Sequence, residues 1–174
     1  MNARRLNSGF LTALWLLPVL ALLQSSLMGH LAIRGIIPGL MLITVVNWGI
    51  LRGMDEGMLW AFIGGICLDV FSGWPFGTNT VALVIVASLV SLGESTFMRS
   101  HALLPLFTVF AATILFYLVV LFILESTHHP VDWITALRVD VLPAAVYNAV
   151  LNIPLFRLTQ RLEARVYPTP RASW

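Results

Sequence analysis

The sequence predicts an all-α integral membrane protein: a six-helix transmembrane bundle with both termini in the cytoplasm. Three observations carry this. Of 174 residues, 59% are hydrophobic and 10% charged, and the mean hydropathy is +0.90. A soluble domain carries about 25% charged residues, so the polar surface a water-soluble globule needs is missing. The apolar residues fall into six runs bounded by charge or turn residues, and the arginines gather at one end of those runs. At roughly 20 residues per span the chain has no room for a separate soluble catalytic domain.

The spans are placed at about 9–28, 36–51, 57–72, 76–92, 103–124 and 141–158, in a single transmembrane domain covering 1–174. Each run is apolar around its whole circumference, which fits helices in lipid; a membrane barrel would alternate polar and apolar residues instead. The first run follows Arg4 and Arg5. It is longer than a signal-peptide core and no small-residue cleavage site precedes His30–Arg34, so it reads as a retained span. With six spans, Arg4, Arg5, Arg52, Arg99, Arg157, Arg161, Arg165 and Arg171 share the side of the termini, against Arg34 and Arg138 opposite. Retained positive charge marks the cytoplasmic face. Trp48 and Trp60 at the inner turn, and Trp74 and Trp133 in outer links, read as interfacial anchors.

The longest outer loop runs from Glu125 to Asp140. Within it Trp133, Ile134, Leu137 and Val141 recur at helical spacing, which predicts a short amphipathic helix over about 131–140 lying on the outer surface. This helix is a lipid anchor or a landing site for a partner.

All ten basic residues are arginine, and they are scattered. Nucleic-acid binding therefore has no basic stripe to rest on. The lone Cys67 excludes an internal disulfide and a thiolate metal cluster. Asp69 is the one carboxylate well inside an apolar run, about 20 Å beyond Glu56 along a helix, hence in the outer part of the bilayer. A proton or cation relay would need a second acid or a base at that depth. The structural alternative has Asp69 accept hydrogen bonds from the turn that follows, where Ser72, Gly73, Phe76, Gly77 and Thr78 offer donors. Asp55 and Glu56 read as an acid pair at a helix N-terminus. Gly57, Ala61 and Gly65, with Gly64 beside them, form a small-residue face for close helix packing. Asn148 and Asn152, one turn apart with Ala144 extending the row, suit hydrogen bonding between helices. His128 and His129 with Asp132 and Glu125 sit in an exposed loop without a second cluster, which does not make a metal site. No nucleophile elbow, Walker loop or zinc-protease motif occurs, so no enzyme chemistry and no cofactor are expected.

The stretch from Phe62 to Gly77, FIGGICLDVFSGWPFG, includes Gly64, Gly65, Asp69, Pro75 and Phe76. It resembles the central signature of MreD, a family of rod shape-determining membrane proteins of bacteria. Tyr147 to Phe156, YNAVLNIPLF with Asn148 and Pro154, resembles that family's closing helix. Length, six spans and inward termini also agree, so the resemblance covers nearly the whole chain. The second amide at Asn152 and the absence of lysine are departures. The resemblance implies a non-enzymatic subunit of the elongation machinery in the cytoplasmic (inner) membrane, one that regulates peptidoglycan synthesis. Its implied partners are a single-pass MreC-like protein, the RodA glycosyltransferase with its class B penicillin-binding protein, and indirectly the MreB filament. Contact with the MreC-like partner is expected through Trp133, Ile134 and Leu137. The layout is similar to that of the substrate-binding subunits of energy-coupling-factor vitamin transporters, and such a subunit is the alternative function. In those subunits small residues at four-residue steps in the first helix dock the coupling protein. Here Gly9 and Ala13 give one step and Leu17 interrupts it. A membrane transferase would need paired metal-binding acids, and Asp69 stands alone.

Overall fold

A computed structural model describes residues 3–27, 37–92, 104–127 and 130–167. Among them all regular structure is helical, in the order α1 (Ala3–Leu27), α2 (Leu40–Arg52), α3 (Met54–Phe71), α4 (Thr78–Leu92), α5 (Leu104–Ser126), α6 (Trp133–Thr135), a π-helical stretch (Ala136–Val141) and α7 (Leu142–Val166). Among the described residues three helices are long and apolar enough to cross a membrane, over Gly9–Ser26, Leu104–Ser126 and Trp133–Val166, while α2 and α4 are shorter apolar helices. Helix α3 carries three carboxylates, Asp55, Glu56 and Asp69.

Helix α2 is the hub. Every residue from Met41 to Ile50 is buried, and α1, α3, α4, α5 and α7 all pack against it. Its 13 residues span only about 20 Å, less than the roughly 30 Å of a bilayer's hydrocarbon. The first N–H groups of a helix have no acceptor within it. Other helices supply the acceptors: Asn148 Oδ1 takes the Gly39 N–H at 2.9 Å and Gln24 Oε1 takes that of Met41 at 2.9 Å. Helix formation starts at Leu40 because Pro38 and Gly39 precede it.

Gly53 alone joins α2 to α3, with φ 84° and ψ −172°, a region that side chains with a Cβ rarely enter. The hairpin brings two glycines together: a Cβ at Gly57 would lie 3.0 Å from Gly49 Cα. On α1, Gly9, Ala13, Leu17 and Ala21 are buried at four-residue steps, so Leu17 continues the packed face. Trp15, at 77% exposure, projects from the other side.

One expectation is corrected here. The 133–141 segment is not a separate surface helix; α6, the π-helical stretch and α7 run on as one helix, Trp133–Val166, of 34 residues. Pro143 cannot donate to a carbonyl four residues back, and the chain widens into the π-helical stretch immediately ahead of it. At about 51 Å this helix exceeds the hydrocarbon by some 20 Å.

Candidate functional site

Three polar clusters hold the bundle, each built across helices. The first is the signature turn between α3 and α4. Asp69 is 4% exposed. Its Oδ1 accepts the Asn79 N–H at 2.9 Å and the Asn79 side-chain amide at 3.0 Å. Its Oδ2 accepts the Thr80 N–H at 3.1 Å and the Thr80 hydroxyl at 2.6 Å. Asn79 and Thr80 are the second and third residues of α4, whose N–H groups an N-cap side chain normally satisfies. The cap position holds Gly77 with φ 98°, which has no side chain, so the preceding helix provides the acceptor. The donors thus lie beyond the Ser72–Thr78 segment where they were expected. Thr78 closes its own turn instead, its hydroxyl donating to Pro75 O at 2.7 Å, and the Ser72 hydroxyl donates to the backbone carbonyl of Asp69 at 3.2 Å. Gly65 permits the approach: a Cβ there would collide with Thr80 Cα and sit 3.0 Å from Thr80 N. Gly64 does the same for α2, where Met41 Sδ would lie 2.8 Å away. Gly57 and Ala61 are buried with them. The turn leaves Trp74 and Phe76 51% and 72% exposed.

The second cluster is an amide ladder through the bundle centre. Asn148 and Asn152 are buried on α7. Besides accepting from Gly39, Asn148 donates to the Thr113 hydroxyl on α5 at 3.2 Å. Asn152 Oδ1 accepts from Asn47 of α2 at 2.7 Å, and its amide donates to the Pro105 carbonyl of α5 at 3.0 Å. Pro154, half a turn on, is exposed; it removes an N–H from α7 without ending the helix. Sequence spacing pointed to Asn148 and Asn152 but not to Asn47 or Thr113, which stand between apolar neighbours with no second amide a turn away.

The third cluster lies at the opposite end from Asp69, and sequence reasoning missed it. Glu56 is 7% exposed and is more than half of an acid pair: Trp48 Nε1 donates to its Oε2 at 3.1 Å, and the Arg52 guanidinium and the Tyr167 hydroxyl both reach its Oε1, at 3.0 Å and 2.9 Å. Asp55 stays exposed. Arg52 also pairs with Glu163 at 3.4 Å and lies 3.7 Å over the Tyr167 ring. The end of α7 is thereby clasped to the α2–α3 turn. Trp48 and Trp60 are not interfacial anchors; both are fully buried and stack at 3.8 Å between ring centroids, because the enclosing helices cover that turn. Among the described residues three buried atoms, Asn47 Oδ1, Trp60 Nε1 and Ser91 Oγ, lack a partner.

At the start of the long last helix Trp133 is half-buried and its Nε1 donates to Glu125 at 2.7 Å. Asp132 caps the helix start, accepting the Thr135 hydroxyl at 2.6 Å and its N–H at 3.3 Å. These two bonds hold the Asp132 carboxyl below the usual carboxylate range. Ile134 is 67% exposed, whereas Leu137 is half-buried. His128 and His129 lie outside the described residues.

In these clusters Asp69, Asn148, Asn152 and Glu56 each bond groups on another helix, an arrangement that fixes helices against one another. No curated protein and no solved structure matches the chain. Residues 4–162 match the family model of rod shape-determining protein MreD, a range that takes in both the Asp69 turn and the amide ladder. The chain therefore belongs to the MreD family of rod shape-determining membrane proteins.

Proposed function

We propose that this chain is a non-enzymatic, multi-pass subunit of the bacterial cell-elongation machinery in the inner membrane. It acts as a rigid fixture that positions an MreC-like single-pass partner and, through it, the RodA glycosyltransferase with its class B penicillin-binding protein and the MreB filament. In this way it regulates peptidoglycan synthesis. The observation that carries the reading is the use of the buried polar groups: Asp69, Asn148, Asn152 and Glu56 each bond to another helix of the same bundle. Crossed bonds of this kind specify one arrangement of helices. Influence on a partner then comes from the outer surface.

The six helices α1–α5 and α7 are the spans of one domain, with the termini on the arginine-rich, cytoplasmic side, in a layout similar to that of the energy-coupling-factor subunits. No observation favours the vitamin-transporter alternative. The small-residue face of α1 that would receive a coupling protein is buried within the chain. The partner contact falls on the outer end of the long last helix, where Ile134 and Val139 are exposed beside the half-buried Trp133 and Leu137.

Depletion in a rod-shaped host should round the cells, and expression of the intact chain should restore the rod. A photocrosslinker at Ile134 should capture the MreC-like protein in membranes. A vitamin requirement without any change of shape would overturn the reading. Capture from Phe107 on α5, but not from Ile134, would move the contact to the lipid-facing surface.

A further inference from the structure

The exposed face of α7 changes character along its length. Leu142, Val146, Val150 and Ile153 are 47%, 56%, 58% and 56% exposed, at steps of four, four and three residues. The same row continues at steps of four with Arg157, Arg161 and Arg165, all exposed. The row thus turns from apolar to cationic within about 6 Å of helix, and at about 100° per residue it drifts round the axis, so that Arg157, Arg161 and Arg165 lie about 40°, 80° and 120° from Ile153. The clasp described above sets the rotation. Glu163 and Tyr167, one turn apart, are held to Arg52, and at about 100° per residue Arg161 and Arg165 point some 160° away from Glu163. Glu163, the acid closest to the row in sequence, is therefore turned from it. Among the described residues the only ion pairs are those of Arg52, so the three guanidiniums have no carboxylate partner there.

We infer that Arg157, Arg161 and Arg165 bind the phosphate headgroups of anionic lipids where α7 leaves the bilayer. This rests on α7 being a membrane span. A leaflet matches both halves of the row, since hydrocarbon covers the apolar residues and phosphate begins where the arginines do. Successive guanidiniums are about 6 Å apart along the axis, and flexible arginine stems reach back toward the headgroup layer. An acidic protein would meet the arginines but leave the adjoining apolar row without a counterpart.

The test uses the full chain, released from membranes in mild detergent and titrated separately with phosphatidylglycerol and phosphatidylcholine, with bound lipid counted by native mass spectrometry. The wild type should prefer phosphatidylglycerol. Each arginine near an anionic surface contributes about fivefold, so replacing all three by Gln should lower that preference on the order of a hundredfold. Replacing all three by Lys should retain most of it. Arg138→Gln, which removes one such charge from the other end of the same long helix, should leave the preference unchanged, whereas Arg161→Gln alone should lower it about fivefold. A triple Gln variant that keeps the preference, or an Arg138→Gln variant that loses as much as Arg161→Gln, overturns the assignment. So does displacement of the lipid by inorganic phosphate at equal concentration, which would mark a site for a soluble anion. Carbonate extraction of the same variants reports integration separately: a chain that washes off the membrane refutes the span, while an integrated chain without lipid preference refutes only the headgroup site.

Discussion

Replacing Asp69 tests whether a carboxylate donated from α3 holds the start of α4. Leu at this position removes four accepted bonds and strands the N–H groups of Asn79 and Thr80 in a site where Asp69 is 4% exposed. An unmet buried donor costs about 1–3 kcal/mol and a lost cap about 1 kcal/mol. Since the two N–H groups share one turn and relax together, Asp69→Leu should cost about 3–5 kcal/mol. Asn is intermediate for a geometric reason. Its oxygen can replace Oδ1 toward Asn79, but its NH₂ then faces the Thr80 N–H at the place of Oδ2, donor against donor. The Thr80 hydroxyl can rotate and accept from that NH₂, which leaves one backbone bond lost and a cost of about 1–2 kcal/mol. Reversible unfolding in mixed micelles, followed by tryptophan fluorescence, gives the values. A double-mutant cycle with Thr80→Val should show coupling in the Asp69 background and little in the Leu background. If Asn and Leu cost the same, or if neither costs more than about 0.5 kcal/mol, Asp69 is not the cap of α4. Loss of cell shape with the Asn variant at normal stability would assign the charge a role of its own.

Two further outcomes follow from the geometry. Gly65→Ala places a methyl group against the Thr80 backbone, which cannot swing aside as a side chain would, so α3 and α4 must part; thermal unfolding should show a loss of about 1–3 kcal/mol, whereas Gly73→Ala, with open space around it, should be near neutral. Asp132 has its carboxyl lowered by the Thr135 hydroxyl and N–H, so its capping contribution is complete above the unfolded-state pKa and fades as pH falls through the lower folded value; amide exchange at Thr135, corrected for the intrinsic rate, should rise over that acidic range in the wild type and show no such step in Asp132→Ala.

The helices and the family were legible in the sequence because both depend on local pattern: apolar runs, Gly64-Gly65, and the Trp74-Pro75-Phe76-Gly77 turn. What stayed hidden depends on rotation and on pairing across the chain. Helix α2 is apolar on every side, so nothing in its hydropathy marks it as the enclosed helix, and Trp48 looked like an anchor because it stands near a charged turn. Glu56 and Tyr167 are separated by 111 residues, and no local signal joins them. One cue was available. Asn47 is a lone amide in an apolar run, and an isolated polar group in a membrane helix calls for a partner, here Asn152. The Trp133 helix was bounded wrongly for a related reason: amphipathic spacing reveals a helix but not whether it stops, and the π-helical stretch carries the chain past Pro143 into α7.

The placement of the polar clusters also explains how so apolar a bundle reaches one structure. In lipid the helices gain little from burying apolar surface against one another, because the acyl chains are equally apolar. Close packing at Gly49, Gly57, Gly64 and Gly65 and directional bonds must therefore select the arrangement. Those bonds stand where α2 and α4 begin, where α5 meets α7, and where α7 ends. The ladder and the clasp join helices far apart in the chain, while Asp69 and Asn148 meet N–H groups at helix starts. Helix α2 lies between all of them, fixed by α1 and α7 at its first turn and by Glu56 at its last. A force applied at the Trp133 end of the long helix would then act on a body whose other end is clasped through Arg52 and Glu56, so displacement at one end is carried to the other rather than absorbed between loose helices.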